Sequence, residues 1–305
     1  VMAGCSGHSK NLKFGAADIG GVYYSFASTF TQLADKEIDG YTFETKTTAG
    51  SVANLRLISD GYIDLAIVQA DLLSDAYNAT GTFADKKYQK GYKAVASLYT
   101  ECCQIVVRKD SGITGIDDLI NKTVSVGASE SGTEKNAEQI LKMSGITDEL
   151  INKVNMDYTE AAEKLKAGEI DAFFCTAGTR TEVIGQLSKE CDIRLISLDD
   201  KCIDKMLSAY SLCEKYTIPA GTYNGQDSDV TTIGVKAVLI AKQSLSDDVI
   251  KNVTKTIYEH ADDFKYATSL DISFDINTAA DGVDIPFHSG AAAYYTERGI
   301  NVLTE

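Results

Sequence analysis

Apolar residues recur along this chain in two alternating rhythms. Val22, Phe26, Phe30 and Leu33 fall at helical spacing directly after Gly20 and Gly21, which predicts a buried helix beginning near Val22. The segment LKFGAA before that helix and YTFETKTT after it read as strands, and Ser51 opens a second helix that carries Leu55 and Ile58. IDLAIVQ is apolar throughout, as a strand buried on both faces would be. Alternation of this kind predicts an α/β architecture with largely parallel sheets.

The same grammar appears a second time. DGYIDLAIVQAD (Asp60 to Asp71) aligns without a gap against AGEIDAFFCTAG (Ala167 to Gly178), matching Gly61 with Gly168, Ile63 with Ile170 and Asp64 with Asp171. Upstream, FGAADIGG (Phe14 to Gly21) answers VGASESGT (Val126 to Thr133). Any α/β protein reuses strand–glycine–helix turns, but two such units in the same order predict two lobes of similar design. Loops at the carboxyl ends of facing strands would then converge on a cleft, where open α/β sheets bind ligands. The bare turns Gly20-Gly21-Val22 and Ser131-Gly132-Thr133 would present helix N-termini to one anionic group, because such ends carry unpaired N–H donors and partial positive charge. Gln69 and Thr176, matched positions in the two units, would close the site from both sheets.

With 305 residues the chain exceeds what one core usually serves, and two prolines leave no flexible linker to separate the lobes. The expected arrangement is discontinuous, with residues 11–99 plus 236–305 in the first lobe and 100–235 in the second. The crossings would fall near Tyr99 to Cys103 and near Thr231 to Val235. A net charge of −15, from 29 basic and 44 acidic residues, argues against nucleic acid and against an anionic membrane surface. It leaves open an anionic small molecule, since a local field can oppose the global one.

Seven cysteines and three histidines form no CxxC pair and no zinc signature, so neither a metal nor a cofactor is expected. VMAGCSG resembles the tail of a bacterial lipoprotein signal, which makes Cys5 a candidate for lipid attachment and residues 1–10 a signal remnant and tether. Cys102 and Cys103 lie in a β-like run and should point to opposite faces. Cys191, Cys202 and Cys213 recur every eleven positions, which would admit one surface disulfide among them.

Each candidate contact has a plainer role beside it. Tyr23 is favoured as ligand-facing with Tyr24 lining a wall, although both rings could simply pack. Ser51 and Asp71 sit where N-caps sit, and Asp71 could instead accept a ligand ammonium. Arg180 could clamp a carboxylate or face solvent. Glu101 would lie where the chain crosses between lobes, as a hinge or interface acceptor. His288 would satisfy a backbone group at the start of a C-terminal helix. The carboxylate pairs Asp199-Asp200 and Asp227/Asp229 read as solvated loops. No G-x-S-x-G, HExxH, P-loop or full dinucleotide fingerprint occurs.

Six segments in order carry a family resemblance: GGVYY, TTAGSVANLRLISDGYIDLAIVQAD, LYTE, GASESGTEKNAEQIL, KAGEIDAFF and IPFHSGAAAYYTERG. From about Asn11 to Gly299 the chain resembles the TAXI-type solute receptors of tripartite ATP-independent periplasmic (TRAP) transporters. The resemblance implies a two-lobed fold of the periplasmic-binding-protein type II kind. It implies a bacterial extracytoplasmic or lipid-anchored receptor that closes over a small carboxylate such as glutamate, glutamine or 2-oxoglutarate. The partner it implies is a membrane permease driven by an ion gradient. Carried over residue by residue, the contacts are Gly21, Val22, Tyr23, Tyr24, Ser51, Gln69, Asp71, Ser131, Gly132, Thr133, Thr176, Ala177 and Gly178. Cys102-Cys103 after LYTE, HSGA in place of HPGA and Cys175-Thr176 depart from the family pattern. The rival readings are a sensor domain of the same fold and an enzyme related to porphobilinogen deaminase. The latter needs clustered arginines, and here the arginines are dispersed.

Overall fold

A computed structural model describes residues 9–85, 88, 91–270 and 273–305, so Cys5 lies outside the described residues. Ten strands among them form one sheet in the order β2-β1-β3-β10-β4-β7-β5-β6, with β8 beside β4 and β9 beside β10. The strands run β1 Lys10–Gly15, β2 Tyr41–Lys46, β3 Leu65–Gln69, β4 Tyr92–Arg108, β5 Thr123–Ser125, β6 Asn152–Val154, β7 Ala172–Ala177, β8 Ile193–Leu195, β9 Glu214–Ile218 and β10 Val230–Lys242. In the first half, α1 (Val22–Glu37), α2 (Ser51–Ser59) and α3 (Ala70–Asn78) follow β1, β2 and β3. In the second, α4 (Gly132–Met143), α5 (Tyr158–Ala167) and α6 (Glu182–Glu190) follow β5, β6 and β7.

Each half therefore repeats one β-α-β-α-β-α plan. Within each, the outer strands are parallel: β1 pairs β2 and β3, and β5 pairs β6 and β7. The aligned aspartates perform one task twice. Asp64 accepts from the Lys13 amide at 2.9 Å and donates its own amide to the Lys13 carbonyl at 2.8 Å. Asp171 does the same with Thr123, at 2.9 Å each way. Each thus clamps the start of the neighbouring parallel strand, and Gly61 and Gly168 supply the positive φ (83° and 75°) that ends the preceding helix.

The halves are joined by the long antiparallel pair β4 and β10. Along β4 the partner changes at Cys102, which faces both Gly234 of β10 and Ala177 of β7. Alternation along β4 sends Cys102 into the core with Val106 and Phe173, and Cys103 into a second core with Ile105, Val107 and Phe174. All six described cysteines are free, so no disulfide joins Cys191, Cys202 or Cys213. His288 caps the C-terminal helix Ser289–Thr296, accepting from Gly290 N at Nδ1 (3.1 Å), while Nε2 reaches the Leu245 carbonyl at 3.0 Å. Asp199 is a helix N-cap as well, accepting from Cys202 N at 2.7 Å. No described helix is long and apolar enough to cross a membrane.

Candidate functional site

The carboxyl ends of β1, β3, β5 and β7 converge on a cavity between the halves. Four helix N-termini surround it. From the first half come α1, led by Gly21, and α2, led by Gly50; from the second come α4, led by Ser131, and α5, led by Asp157. Their capping differs. No side chain caps α1 or α2. Ser131 accepts from Glu134 N at 3.0 Å, and Asp157 accepts from Glu160 N at 2.8 Å. In the first turn of α2 the Ala53 amide is instead taken by the Glu130 carbonyl of the other half at 3.0 Å, so the helix end left without a cap is that of α1.

The sequence positions two hydrogen-bond networks behind this wall. In the first half, the Gln69 amide donates to Ser51 Oγ at 3.0 Å, Ser51 lies 3.4 Å from Tyr23 Oη, and Tyr23 donates to Glu101 Oε1 at 2.5 Å. Ser51 is thus a brace inside the first turn of α2, and Gly50 occupies the cap position assigned to it from sequence. Asn54, wholly buried one turn further on, donates to the carbonyls of Ala16 (2.7 Å) and Ile67 (2.9 Å), holding α2 against the ends of β1 and β3. In the second half, Thr133 Oγ1 accepts from Thr176 N at 3.1 Å and hydrogen-bonds Tyr158, whose hydroxyl donates to the Thr176 carbonyl at 3.1 Å. That ring is closed on itself.

Burial pushes the Glu101 carboxyl up to about 8, against the opposing effect of the Tyr23 hydrogen bond. Asp18 is raised by burial and next by Asp157 across the cavity. Among the described residues, no lysine, arginine or histidine lines the wall. Two wall atoms, Gln69 Oε1 and Thr176 Oγ1, are buried without a hydrogen-bond partner among the described residues.

The halves meet around the cavity. Ala53 N donates to the Glu130 carbonyl at 3.0 Å, and Arg56 clamps the Glu130 carboxylate at 2.6 and 3.3 Å. Close approach explains the glycines. A Cβ on Gly50 would lie 3.2 Å from Ser131 Cα, one on Gly20 3.0 Å from Thr159 Oγ1, and one on Gly132 2.3 Å from Gln69 Nε2.

Of the residues singled out from sequence, Gly21, Val22, Tyr23, Ser51 and Gln69 line the cavity from the first half. Ser131, Gly132, Thr133, Thr176 and Ala177 line it from the second. Four others stand outside the lining. Tyr24 follows Tyr23 around α1 and only half-buries against the core. Asp71 is in the first turn of α3 with Oδ1 unpartnered, and burial pushes its carboxyl up to about 6. Gly178 is packed behind the wall, where a Cβ would meet Leu270 and the Tyr99 ring. Arg180 is exposed. Sequence reasoning did not single out Asp18, Gly50, Asp157 or Tyr158. The D-x-x-E spacing of Asp157 and Glu160 marks a helix start, but nothing local shows that this start faces α1.

Comparison with solved structures gives the fold. PhnD1 from Prochlorococcus marinus (MIT 9301), solved in complex with methylphosphonate, is 12% identical with a TM-score of 0.60, covering 88% of this chain and 94% of its own. The periplasmic binding protein BugD is 10% identical with a TM-score of 0.60, each chain covered to 90%. A protein from Bordetella bronchiseptica RB50 is 16% identical with a TM-score of 0.56, covering 97% of this chain and 83% of its own. The fold is accordingly the two-lobed α/β fold of periplasmic binding proteins. The sequence profile of the NMT1-like family matches residues 14–299, and the chain belongs to the NMT1-like family.

Proposed function

We propose that this protein is an extracytoplasmic solute receptor that closes over a small carboxylate of the glutamate, glutamine or 2-oxoglutarate kind and hands it to a TRAP-type permease driven by an ion gradient. The observation that carries the reading is the uncapped end of α1, facing a cavity that the N-termini of α2, α4 and α5 also surround. Ligand contacts would come from Gly21, Val22, Tyr23, Ser51 and Gln69 on one side and from Ser131, Gly132, Thr133, Thr176 and Ala177 on the other. Residues 11–99 with 236–305 would move as one lobe and 100–235 as the other, bending where β4 exchanges β10 for β7. A ligand that touches both walls supplies differential affinity for the closed form and shifts the population toward it. Lipid attachment at Cys5 would tether the receptor to the membrane.

Binding without chemistry accords with the cysteines near the site. Burial raises the Cys102 and Cys175 thiols and pushes Cys103 up to about 12, which suppresses the thiolate a covalent mechanism needs. The test is native mass spectrometry of protein purified without added ligand, repeated after denaturation. A small acid that is lost on denaturation supports the receptor reading. A covalent adduct on a cysteine other than Cys5 would replace it with an enzymatic one.

A further inference from the structure

A carboxylate cradle alone does not account for the charge of this cavity. Its wall carries the carboxylates Asp18 and Asp157, beside the Glu101 carboxyl that burial keeps protonated, and no basic side chain among the described residues. Asp18 belongs to the turn before α1 and Asp157 to the cap of α5, so closure brings two acidic segments together. The contact is direct: the Thr159 hydroxyl, two residues beyond Asp157, donates to Asp18 Oδ2 at 3.3 Å. Like charges crowded in this way oppose closure unless a cation comes between them. A second observation points the same way. Gln69, 2% exposed, lines the cavity and carries a carbonyl oxygen without a partner among the described residues. An N–H donor satisfies that acceptor, and a carboxylate does not.

We propose that the cleft selects a ligand of net charge zero or above that bears both a carboxylate and an ammonium. The carboxylate meets the open end of α1, and the ammonium sits beside Asp18 and Asp157, offsetting the repulsion that closure creates. This rests on the receptor reading and narrows it. Within the range named above, glutamine is favoured over glutamate, whose second carboxylate adds to an already acidic cavity. Glutamate in turn is favoured over 2-oxoglutarate, which lacks the ammonium.

Calorimetric titration of the full chain with glutamine, glutamate, 2-oxoglutarate, leucine and 4-methyl-2-oxopentanoate tests the selection. The expected result is a preference of at least about tenfold for each amino acid over its oxo acid, and for glutamine over glutamate. Asp18→Asn, an isosteric change, should weaken amino-acid binding about tenfold while leaving oxo acids unchanged or tighter, with an unaltered melting transition. A dicarboxylate or oxo acid that binds as tightly as its amino partner overturns the selection and leaves the receptor reading standing. So does a co-purified ligand that proves to have no amine; one that bears an amine supports the selection. If all five probes are silent and the native mass spectrum shows no small molecule, both readings fall.

Discussion

The two walls of the cavity are built on one plan and finished differently. β3 and β7 occupy equivalent places, and Gln69 and Thr176 stand five residues beyond the matched aspartates Asp64 and Asp171. On the first wall α1 is uncapped and α2 takes its cap from the other half, at the Glu130 carbonyl; the network runs outward from Gln69 through Ser51 and Tyr23 to Glu101, and the Gln69 side chain reaches across to Gly132. On the second, Ser131 and Asp157 cap their own helices, and Thr133, Tyr158 and Thr176 close a ring among themselves. Repetition thus sets where a wall stands, and the side chains at its edge decide whether it awaits a partner. On the proposed reading the first wall engages the anion, and the second holds its shape and contributes a surface to close against.

The largest effects should come from blocking the open wall. Gly21→Asp sets a carboxylate at the uncapped end of α1, where a Cβ meets nothing nearer than the Asp18 carbonyl at 3.3 Å. Binding of glutamine should weaken at least about 100-fold, roughly 3 kcal/mol, with the melting temperature little changed. Wild-type affinity in this variant would show that the anion does not bind there.

Glu101 ends the network of the same wall, and its effect on stability runs at up to about 1.4 kcal/mol per pH unit. Its pKa is raised in the fold to about 8, so the folded protein holds a proton that the unfolded chain releases near pH 4.5. Between those values the unfolded state binds fewer protons, and stability must fall as pH rises. The contribution is complete below about pH 4.5 and lost by about pH 8 to 9. Asp71, raised to about 6, slopes the same way over a lower window. Denaturant titrations at pH 5 and pH 9 should therefore show a drop in wild type that is much smaller in Glu101→Gln. Equal slopes in the two proteins would mean that Glu101 is ionised within the fold.

How much of this could be read from the chain follows from what each feature depends on. Asp64 and Asp171 were visible as a pair because each acts on a strand of its own half, through a local pattern of glycine, apolar run and small polar end. The turns before α1 and α4 were visible for the same reason. Asp18 was not, because its significance comes from Thr159 and Asp157 in the other half, and no periodicity links residues so far apart. Ser51 was misread as a cap because Gly50 beside it takes the cap conformation, at φ 126°, which few other residues adopt. Tyr24, Asp71, Gly178 and Arg180 flank wall residues in sequence, and neighbours along a helix or strand face different directions.

A smaller effect should come from spoiling the contact between the walls. Gly50→Ala adds a Cβ 3.2 Å from Ser131 Cα at a φ of 126°. The backbone strain is of order 1 to 2 kcal/mol in any state of the protein, but the contact with Ser131 exists only when the halves meet. Small-angle scattering with saturating glutamine should then report a larger radius of gyration than wild type. Full compaction would place the strain in the folding equilibrium alone.

The mildest change is the one that makes the second wall resemble the first. Ser131→Ala removes the hydroxyl that accepts from Glu134 N at 3.0 Å and leaves α4 as open as α1. Loss of an N-cap of this type costs about 1 kcal/mol of stability, measurable as a shift in the denaturant midpoint at constant slope. If the second wall serves only as a rigid surface, affinity for glutamine should change less than about twofold, since on the proposed reading the anion is held at α1. If affinity instead rises, the freed amides of α4 are drawing the carboxylate toward the second wall. The capping of that wall would then be what keeps the ligand in register with Asp18, and Ser131→Ala combined with Asp18→Asn should lose the distinction between amino and oxo acids altogether.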